Sequence, residues 1–439
     1  MNQMTEILKS HKVRLYPNPE QAISLNKTFG CVRVIWNQLV ANFNSYGTDQ
    51  YVAKFSEKEI KANPDLHFLS EVSAAALQQK RIDFEETKKQ FFNKKRKTRI
   101  GRMRFKKKGQ QQSYRLPNQK FKVFADDGLI QLEKIGKVKA VFDREIVGEL
   151  RSVTVSKDPS GKFFASILVK TNVDVLPLTG RSVGIDVGLK DLFIMSNGDV
   201  INNPRWFREN QSKLAKAQRH LSRKTKGSNR YEKQRIKVAR LHEKIRNQRR
   251  YFLHNMTKAL VEEFDLISVE DLNVAGMKKS NLGKSISDAG WSEFVRQLEY
   301  KSNWYGKTFV KIDRFYPSSQ ICSSCNHRDG KKSLDVRHWV CSNCGESHDR
   351  DLNAATNVLL KGYSDLTGLS INDSSAELVD YKRGEEVRLG DKLHHHLASS
   401  VKRLDKLIYR NYEPTLDNLK SVCFNMWYSL RNIKRGGAT

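Results

Sequence analysis

The chain has 439 residues, with 79 Lys or Arg against 48 Asp or Glu, so its formal net charge at pH 7 is +31. Its length predicts two to four domains, and a chain this basic is strongly attracted to polyanions, of which nucleic acid is the natural partner. No stretch approaches the roughly 20 apolar residues of a membrane span, and the start lacks a signal peptide, so we expect an intracellular protein with no membrane partner.

The amino-terminal part of the chain alternates between two kinds of segment. Residues 12–45 and 113–178 are predicted to be β-rich, with hairpin turns at 126–128 (DDG) and 158–161 (DPSG). Residues 46–98 are predicted to be helical. The clearest helix covers residues 72–92, where these residues recur on one side: Leu77, Phe84, Thr87 and Phe91.

Two runs of basic residues follow. Residues 94–108 hold ten basic residues and no acid, and residues 213–250 hold fifteen basic residues against two acids. The second run is broken at 227–229 (GSN), where Asn229 and Glu232 form a capping box that predicts the start of a new helix. We interpret this run as a helical hairpin with a basic face along a nucleic-acid backbone, although a solvated face or a disordered arm has the same charge pattern.

Three acidic residues stand out because each adjoins a strongly apolar segment. Asp186 lies in the strand-like run 183–188 (VGIDVG), Glu270 ends the strand-like part of 266–272 (LISVEDL), and Asp351 opens a helix-like stretch. An unpaired buried charge is costly, so such a residue normally has a partner or a metal ion. Each acid taken singly also fits a helix cap or a surface ion pair. Together they fit an RNase H-like α/β core that holds two Mg²⁺ ions for phosphodiester cleavage.

Four cysteines form two Cys-x-x-Cys pairs with fifteen residues between the pairs. This spacing predicts a closed, structural zinc site, with a redox cluster or chance pairing as the alternatives. The predicted ligands are Cys322, Cys325, Cys341 and Cys344. The other two cysteines, Cys31 and Cys423, are expected to be buried apolar groups.

The last segment, residues 384–439, is predicted to form a two-helix appendage. Two sets of apolar residues recur at helical spacing on either side of Pro414, and basic residues accompany the first set. The triplet His394-His395-His396 is not expected to bind metal, because adjacent helical residues point in different directions.

Several motifs, in this order, resemble one known family. They are residues 13–21 (VRLYPNPEQ), 30–33 (GCVR), 184–188 (GIDVG), 269–272 (VEDL), 315–325 (FYPSSQICSSC), 339–345 (WVCSNCG) and 348–357 (HDRDLNAATN). The chain resembles TnpB, the transposon-encoded RNA-guided DNA endonuclease related to compact type V CRISPR effectors. The resemblance covers residues 12 to about 375 and is most specific in the carboxy-terminal motifs.

The resemblance implies a multidomain α/β fold. Its parts are a RuvC (RNase H-like) nuclease core with a zinc ribbon, and an amino-terminal wedge β-barrel interrupted by a helical recognition module. The implied bounds are 1–45 and 113–178 for the wedge barrel, 46–112 for the recognition module, 179–312 and 350–383 for the nuclease core with its basic helical insertion at 211–250, 313–349 for the zinc ribbon or target-nucleic-acid-binding module, and 384–439 for the helical extension.

The resemblance also implies residue roles. The RuvC catalytic triad, which binds the Mg²⁺ ions, falls on Asp186, Glu270 and Asp351, because the family's motif places the catalytic Asp two residues before the Asn and so favours Asp351 over Asp349. Residues expected to contact nucleic acid are Gln78, Gln79, Lys94, Lys95, Arg96, Arg102, Arg104, Arg219, Arg223, Lys224 and Arg230.

The function implied is RNA-guided, Mg²⁺-dependent cleavage of double-stranded DNA beside a short adjacent motif. The expected cofactors are two Mg²⁺ ions, one structural Zn²⁺ and a guide RNA, and we expect a monomer in the RNA complex, in the prokaryotic cytosol. The alternatives are an RNA-guided DNA-binding repressor that has lost cleavage and a cut-and-paste transposase. The appendage is expected to pack on the protein or on the guide RNA.

Overall fold

The computed structural model describes residues 4–45, 63–93, 95, 102–109, 112–333 and 335–368. The chain divides into two compact units. Among the described residues, the first unit contains those within 7–171 and 224–240, and the second contains those within 4–6, 172–223 and 241–368.

The first unit is built on a seven-stranded sheet with the strand order β2-β6-β7-β1-β5-β4-β3. The strands are β1 Met4–Tyr16, β2 Gln112–Pro117, β3 Phe121–Phe124, β4 Leu129–Leu132, β5 Gly136–Val141, β6 Glu149–Lys157 and β7 Phe163–Asp174. In β7, buried residues alternate with half-buried ones from Phe163 to Val169, as expected for a strand with one face in a core.

Both predicted hairpin turns are confirmed. Gly128 joins β3 to β4 with φ 64°, and Gly161 joins β6 to β7 with φ 86°. Glycine adopts these left-handed conformations without a Cβ clash, so the turn residues determine where the strands reverse.

The prediction that residues 12–45 are β-rich is wrong beyond Tyr16, because helix α1 occupies Pro19–Ser45. Its buried side chains recur at helical spacing and fill the core between the helix and the sheet. Strand propensity of β-branched and aromatic residues is overridden here by this packing. The buried apolar residues are Leu25, Phe29, Cys31, Val32, Ile35, Trp36, Leu39, Val40 and Phe43.

The predicted helix at residues 72–92 is confirmed as α2, Ala74–Phe92. Its first turn is capped by Ser73, whose hydroxyl accepts a hydrogen bond from the Ala76 N–H at 3.3 Å. Phe84 is fully buried and packs edge-on against Trp36 of α1, with 5.6 Å between ring centroids. Elsewhere in the predicted helical segment, a 3-10 turn occupies Pro64–Glu71, and residues 46–62, 94 and 96–98 lie outside the described residues.

The second unit is built on a five-stranded sheet with the order β10-β9-β8-β11-β12. The strands are β8 Ser182–Val187, β9 Asp191–Met195, β10 Val200–Asn202, β11 Leu266–Glu270 and β12 Thr308–Ile312. Strands β8, β11 and β12 run parallel, whereas β9 and β10 are antiparallel to their neighbours. The adjacent core includes stacked rings of Phe193 and Phe294, 3.8 Å apart.

The remaining α-helices are α3 Trp206–Ser222, α4 Asn229–Glu263, α5 Val274–Met277, α6 Gly283–Ala289, α7 Trp291–Tyr305 and α8 Arg350–Thr367. The basic run 213–250 thus falls on α3 and α4, which lie between β10 and β11 in the chain. The predicted cap of α4 is wrong by one residue. Ser228, not Asn229, caps the helix, because its hydroxyl accepts from the Tyr231 N–H at 3.1 Å, and the Glu232 carboxylate instead pairs with Arg235.

Smaller elements complete the described chain. The strands β13 His338–Val340 and β14 Ser347–Asp349 form an antiparallel hairpin, and short 3-10 turns occur at Pro64–Glu71, Asn118–Lys120 and Ser318–Gln320. Cys31 is buried, as predicted, whereas Cys423 and the predicted appendage at 384–439 lie outside the described residues. None of the described helices is long and apolar enough to cross a membrane.

Candidate functional site

Asp186 and Glu270 lie side by side at one edge of the five-stranded sheet. Strands β8 and β11 are parallel neighbours, and their register pairs Ile185 with Val269. The next residue on each strand is a carboxylate, and both strands end within one residue of it. Parallel strands present their carboxyl ends at the same edge, so the two acids meet there.

Gly184 allows helix α8 to lie directly on β8. A Cβ at this position would be 2.5 Å from the backbone N of Leu359 and would also collide with the carbonyl O of Ala355. Side chains alternate between the two faces of a strand, so Gly184 shares its face with Asp186. Helix α8 therefore covers the face of β8 that carries Asp186.

Gly362 likewise allows α8 to lie directly on β11, where the helix crosses that strand. A Cβ there would lie 2.7 Å from the Cβ of Ser268 and would collide with its hydroxyl. Ser268 shares its face of β11 with Glu270. Because Asp351 is in the first turn of α8, this packing brings the third acid to the same edge of the sheet.

Electrostatic interactions link Asp186 to the other two carboxylates. The pKa of Asp186 is raised to about 8, first by burial and then by the negative charges of Glu270 and Asp351. Burial also raises the pKa of Glu270, against the opposing effect of a hydrogen bond from the Ser318 hydroxyl, 2.6 Å from Oε1. All three side chains are half-buried, and a divalent cation would relieve the repulsion within such a group of like charges.

The neighbouring acids have other partners. The Asp349 carboxylate caps α8, with Oδ1 accepting from the backbone N–H groups of Asp351 and Leu352 at 3.0 and 2.9 Å. Asp271 pairs with Arg314 at 2.6 Å. Both carboxylates therefore have structural partners, and the choice of Asp351 over Asp349 stays a prediction.

Asp351 has a cationic partner in this structure. Its Oδ2 lies 2.7 Å from Nη1 of Arg337, which precedes β13. The side chain of Arg337 is 45% exposed, so the ion pair is largely solvated and weak. We call the end of the sheet that carries Asp186, Glu270 and Asp351 the acidic edge. A metal ion bound there would compete with Arg337 for this carboxylate.

The four cysteines form a compact cluster. Their Sγ atoms all lie within 4.8 Å of one another, and the pairs Cys322–Cys344 and Cys325–Cys341 are each separated by 3.7 Å. A zinc–sulfur bond is about 2.3 Å, so tetrahedral coordination places two sulfurs roughly 3.8 Å apart. The donor set and its spacing therefore fit Zn²⁺ with all four positions filled by protein.

His348 adjoins this cluster and was not singled out in the sequence. Its Nε2 lies 3.0 Å from Sγ of Cys322, and its ring packs against Trp339 with 4.8 Å between centroids. Both rings are buried. In the tautomer with the proton on Nε2, the ring donates to this sulfur and stabilises a thiolate there, so that His348 supports the cysteine cluster from outside it.

Two asparagines of α8 connect the cysteine cluster to the acidic edge. Asn353 Nδ2 and Asn357 Nδ2 each donate to the carbonyl O of Ile321 at 2.7 Å, and Asn357 also donates to the carbonyl O of Ser318 at 2.8 Å. The Asn353 Oδ1 accepts from the Ser323 N–H at 2.9 Å. Both side chains are buried. The sequence signal for them was weak: two asparagines one turn apart, inside a helix that disfavours asparagine.

The expected nucleic-acid contacts lie mostly at exposed positions. Gln78 is exposed and Gln79 half-buried on α2, and Lys224 is half-buried between α3 and α4. Lys94 and Arg96 lie outside the described residues. The exposed basic residues are Lys95, Arg102, Arg104, Arg219, Arg223 and Arg230.

Three family models match parts of the chain. Residues 166–281 match the model OrfB_IS605, described as "Probable transposase", residues 291–358 match the Cas12f1-like TNB domain, and residues 4–46 match a helix-turn-helix domain of OrfB_IS605 proteins. The second match includes α7, β12, all four cysteines and Asp351.

Curated proteins are similar over most of the chain. A "Putative RNA-guided DNA endonuclease" of Streptomyces pristinaespiralis is 38% identical over 370 residues, which are 82% of this chain and 90% of that protein. The "Putative RNA-guided DNA endonuclease InsQ" of Escherichia coli K12 is 33% identical, over 81% of this chain and 93% of that protein. A solved Cas12f1-sgRNA-target DNA complex aligns with a TM-score of 0.47 and 14% identity, covering 80% of this chain and 98% of the solved chain.

Proposed function

Because the chain belongs to the OrfB_IS605 family of TnpB proteins, as 38% identity over 90% of a relative establishes, we propose that it is an RNA-guided, Mg²⁺-dependent DNA endonuclease. The observation that carries the proposal is the meeting of Asp186, Glu270 and Asp351 at one sheet edge, where burial and then the negative charges of the other two acids raise the pKa of Asp186 to about 8. Both similar relatives carry RNA-guided DNA endonuclease in their names.

The proposed nuclease core is of the RNase H type. Its support is the mixed sheet in which the first strand, β8, lies between the antiparallel β9 and the parallel β11. Helix α8 covers the face that carries the acids, and strands β8 and β11 each contribute one carboxylate. Three oxygen donors from three elements fit Mg²⁺, which prefers carboxylates and water.

In the proposed reaction the three carboxylates hold the metal site at the edge of the sheet. A bound pair of Mg²⁺ ions would activate a water molecule and neutralise the charge on the leaving oxygen of the phosphodiester. The residues of the chain itself position the carboxylates. Gly184 sets how closely α8 approaches β8, and Ser318 hydrogen-bonds Glu270.

The four cysteines are proposed to hold one structural Zn²⁺ and no substrate. A closed tetrahedral thiolate site offers no open position for chemistry. The hairpin β13–β14 and the buried asparagines of α8 place this site beside the acidic edge, in the segment that matches the TNB family model. We propose that the zinc site organises this segment for contact with target nucleic acid.

The remaining domain roles are proposals too. The seven-stranded sheet with α1 and α2 is proposed to be the wedge and recognition module, and the exposed basic residues of α3 and α4 to follow a nucleic-acid backbone. Phosphate contacts of this kind add affinity without reading sequence. We propose that base pairing by a guide RNA reads the target, and that the protein acts as a monomer in the RNA complex, in the prokaryotic cytosol.

A cut-and-paste transposase is the second candidate, favoured by the description "Probable transposase" of the matching family model. It would use the same acidic metal chemistry, require no RNA and bind its own transposon ends. A cleavage-inactive RNA-guided repressor is the third, but all three acids are present here.

The test is to express the protein from DNA that includes its native flanking sequence, purify it and sequence any bound RNA. The complex is then incubated with matching target DNA and Mg²⁺. The proposal expects a discrete RNA and cleavage only of DNA that matches it. Asp186→Ala serves as the control that binds but does not cut. Cleavage without RNA at transposon ends would support the transposase, and guided binding without cleavage by the unaltered protein would support the repressor.

A further inference from the structure

Ser318 lies at the contact between the acidic edge and the cysteine cluster. It is buried in the 3-10 turn that precedes the first cysteine pair, and its hydroxyl donates to Oε1 of Glu270 at 2.6 Å. A hydrogen bond to an ionised carboxylate is about twice as strong as a neutral one and fixes the direction of the carboxylate. One oxygen of Glu270 is thereby held, and the other remains to bind a cation.

The backbone of Ser318 is itself held by α8. The buried Asn357 side chain donates to the carbonyl O of Ser318 at 2.8 Å and to that of Ile321 at 2.7 Å. Asn357 lies on the same helix as Asp351. The helix that carries one acid therefore also positions the serine that orients another.

We propose that Ser318 is a positioning residue for Glu270 and that Asn357 holds Ser318 in place, so that this polar chain fixes Glu270 relative to Asp351. The proposal rests on the proposed function, in which Glu270 is a metal ligand. Groups that hydrogen-bond a metal-binding carboxylate orient it, and their loss typically weakens metal affinity or activity by about 10- to 100-fold.

The decisive measurement is direct binding of Mn²⁺, a paramagnetic substitute for Mg²⁺, to the protein–RNA complex by electron paramagnetic resonance. Ser318→Ala should weaken Mn²⁺ binding by about 10-fold or more, while zinc content, melting temperature and guide RNA affinity stay unchanged. Ser318→Thr keeps the hydroxyl and should restore binding. The matched control is Ser319→Ala, half-buried beside it, which should bind Mn²⁺ like the unaltered protein.

A double-mutant cycle separates positioning from a merely structural contribution. Since Ser318 is proposed to act through Glu270, adding Ser318→Ala to Glu270→Gln should change Mn²⁺ affinity no further. An equal loss in both backgrounds would overturn the proposal, as would wild-type Mn²⁺ affinity in Ser318→Ala. Should Ser318→Ala fail to fold, Ser318→Cys, with a weak S–H donor of similar volume, replaces it in both backgrounds under the same criteria.

Failure of the proposed function is distinguishable from failure of this inference. If the unaltered complex binds Mn²⁺ but cuts no DNA, the endonuclease proposal fails, while the Mn²⁺ affinities still report on Ser318. If the complex cuts DNA and Ser318→Ala leaves both Mn²⁺ affinity and cleavage unchanged, the positioning proposal alone fails.

Discussion

Replacing Gly184 with Ala should move the third acid away from the other two. The added Cβ would lie 2.5 Å from the backbone N of Leu359, whereas ordinary van der Waals contact begins at 3.4 Å. The obstructing atoms are helix backbone, which cannot rotate away as a side chain would. Helix α8 must therefore retreat by roughly 1 Å, the difference between these two distances, and Asp351 retreats with it.

We expect Gly184→Ala to lower the cleavage rate strongly and the unfolding free energy moderately. A misplacement of about 1 Å at a reacting site typically costs on the order of 100-fold in rate, and overpacking a core typically costs about 1–3 kcal/mol of unfolding free energy. The assay is single-turnover cleavage of matched target DNA by the RNA complex at saturating Mg²⁺, alongside the melting temperature and DNA affinity. We expect Gly184→Ala to cut about 100-fold more slowly while binding the target normally.

Gly109→Ala is the control for this experiment. No described atom lies within 4 Å of a Cβ built at Gly109, and its backbone is not left-handed, so the substitution should be silent. If Gly184→Ala cuts within a few-fold of the unaltered rate and melts at the same temperature, the close packing of α8 on β8 does not position Asp351.

Four further predictions concern single features of the chain. Asp351→Ala should abolish cleavage while guided DNA binding persists. Asp349→Ala should keep cleavage and lose only a helix cap, which costs about 1 kcal/mol of unfolding free energy and is measured by thermal melting. The opposite result for the two variants would make Asp349 the catalytic acid. Cys344→Ser should lose zinc and cleavage together, and elemental analysis showing about one zinc per chain in both proteins would contradict the ligand set. With metal removed by a chelator, the melting temperature should fall as pH rises between about 5 and 8. The pKa of Asp186 is raised from 3.8 to about 8 in the folded protein, which therefore retains a proton that the unfolded chain releases. Asp186→Asn should flatten this dependence of melting temperature on pH, and an unchanged slope would refute the pKa shift. Deleting residues 386–439 should leave zinc content intact and make the salt dependence of guide RNA affinity shallower, while an unchanged slope, affinity and cleavage would exclude an RNA contact.

The sequence by itself determined the local features of this protein. Cysteine spacing specified a four-thiolate cluster, and strand-like apolar runs that end in carboxylates located Asp186 and Glu270. These signals are local because a turn, a ligand pair or a strand end is encoded within a few consecutive residues. The order of these motifs along the chain carried the resemblance to TnpB, and the comparison with relatives confirms the family.

Helix boundaries were less well determined. Residues 19–45 were predicted to be β-rich but form α1, because packing of residues such as Phe29 and Ile35 against the sheet overrides their strand propensity. The cap of α4 was predicted one residue late, since Ser228 and Asn229 are both good caps and only the hydrogen bond to Tyr231 chooses between them.

Tertiary structure alone decided how the candidate site is assembled. Nothing local in GIDVG indicates that Gly184 meets the backbone of a helix some 170 residues later, or that Asn357 holds the serine that bonds Glu270. A close approach or a hydrogen bond between distant segments depends on the positions of both partners, and those positions follow from the packing of whole elements. The sequence specifies which carboxylates are available, and the packing of α8 on β8 and β11 brings them to one edge of the sheet.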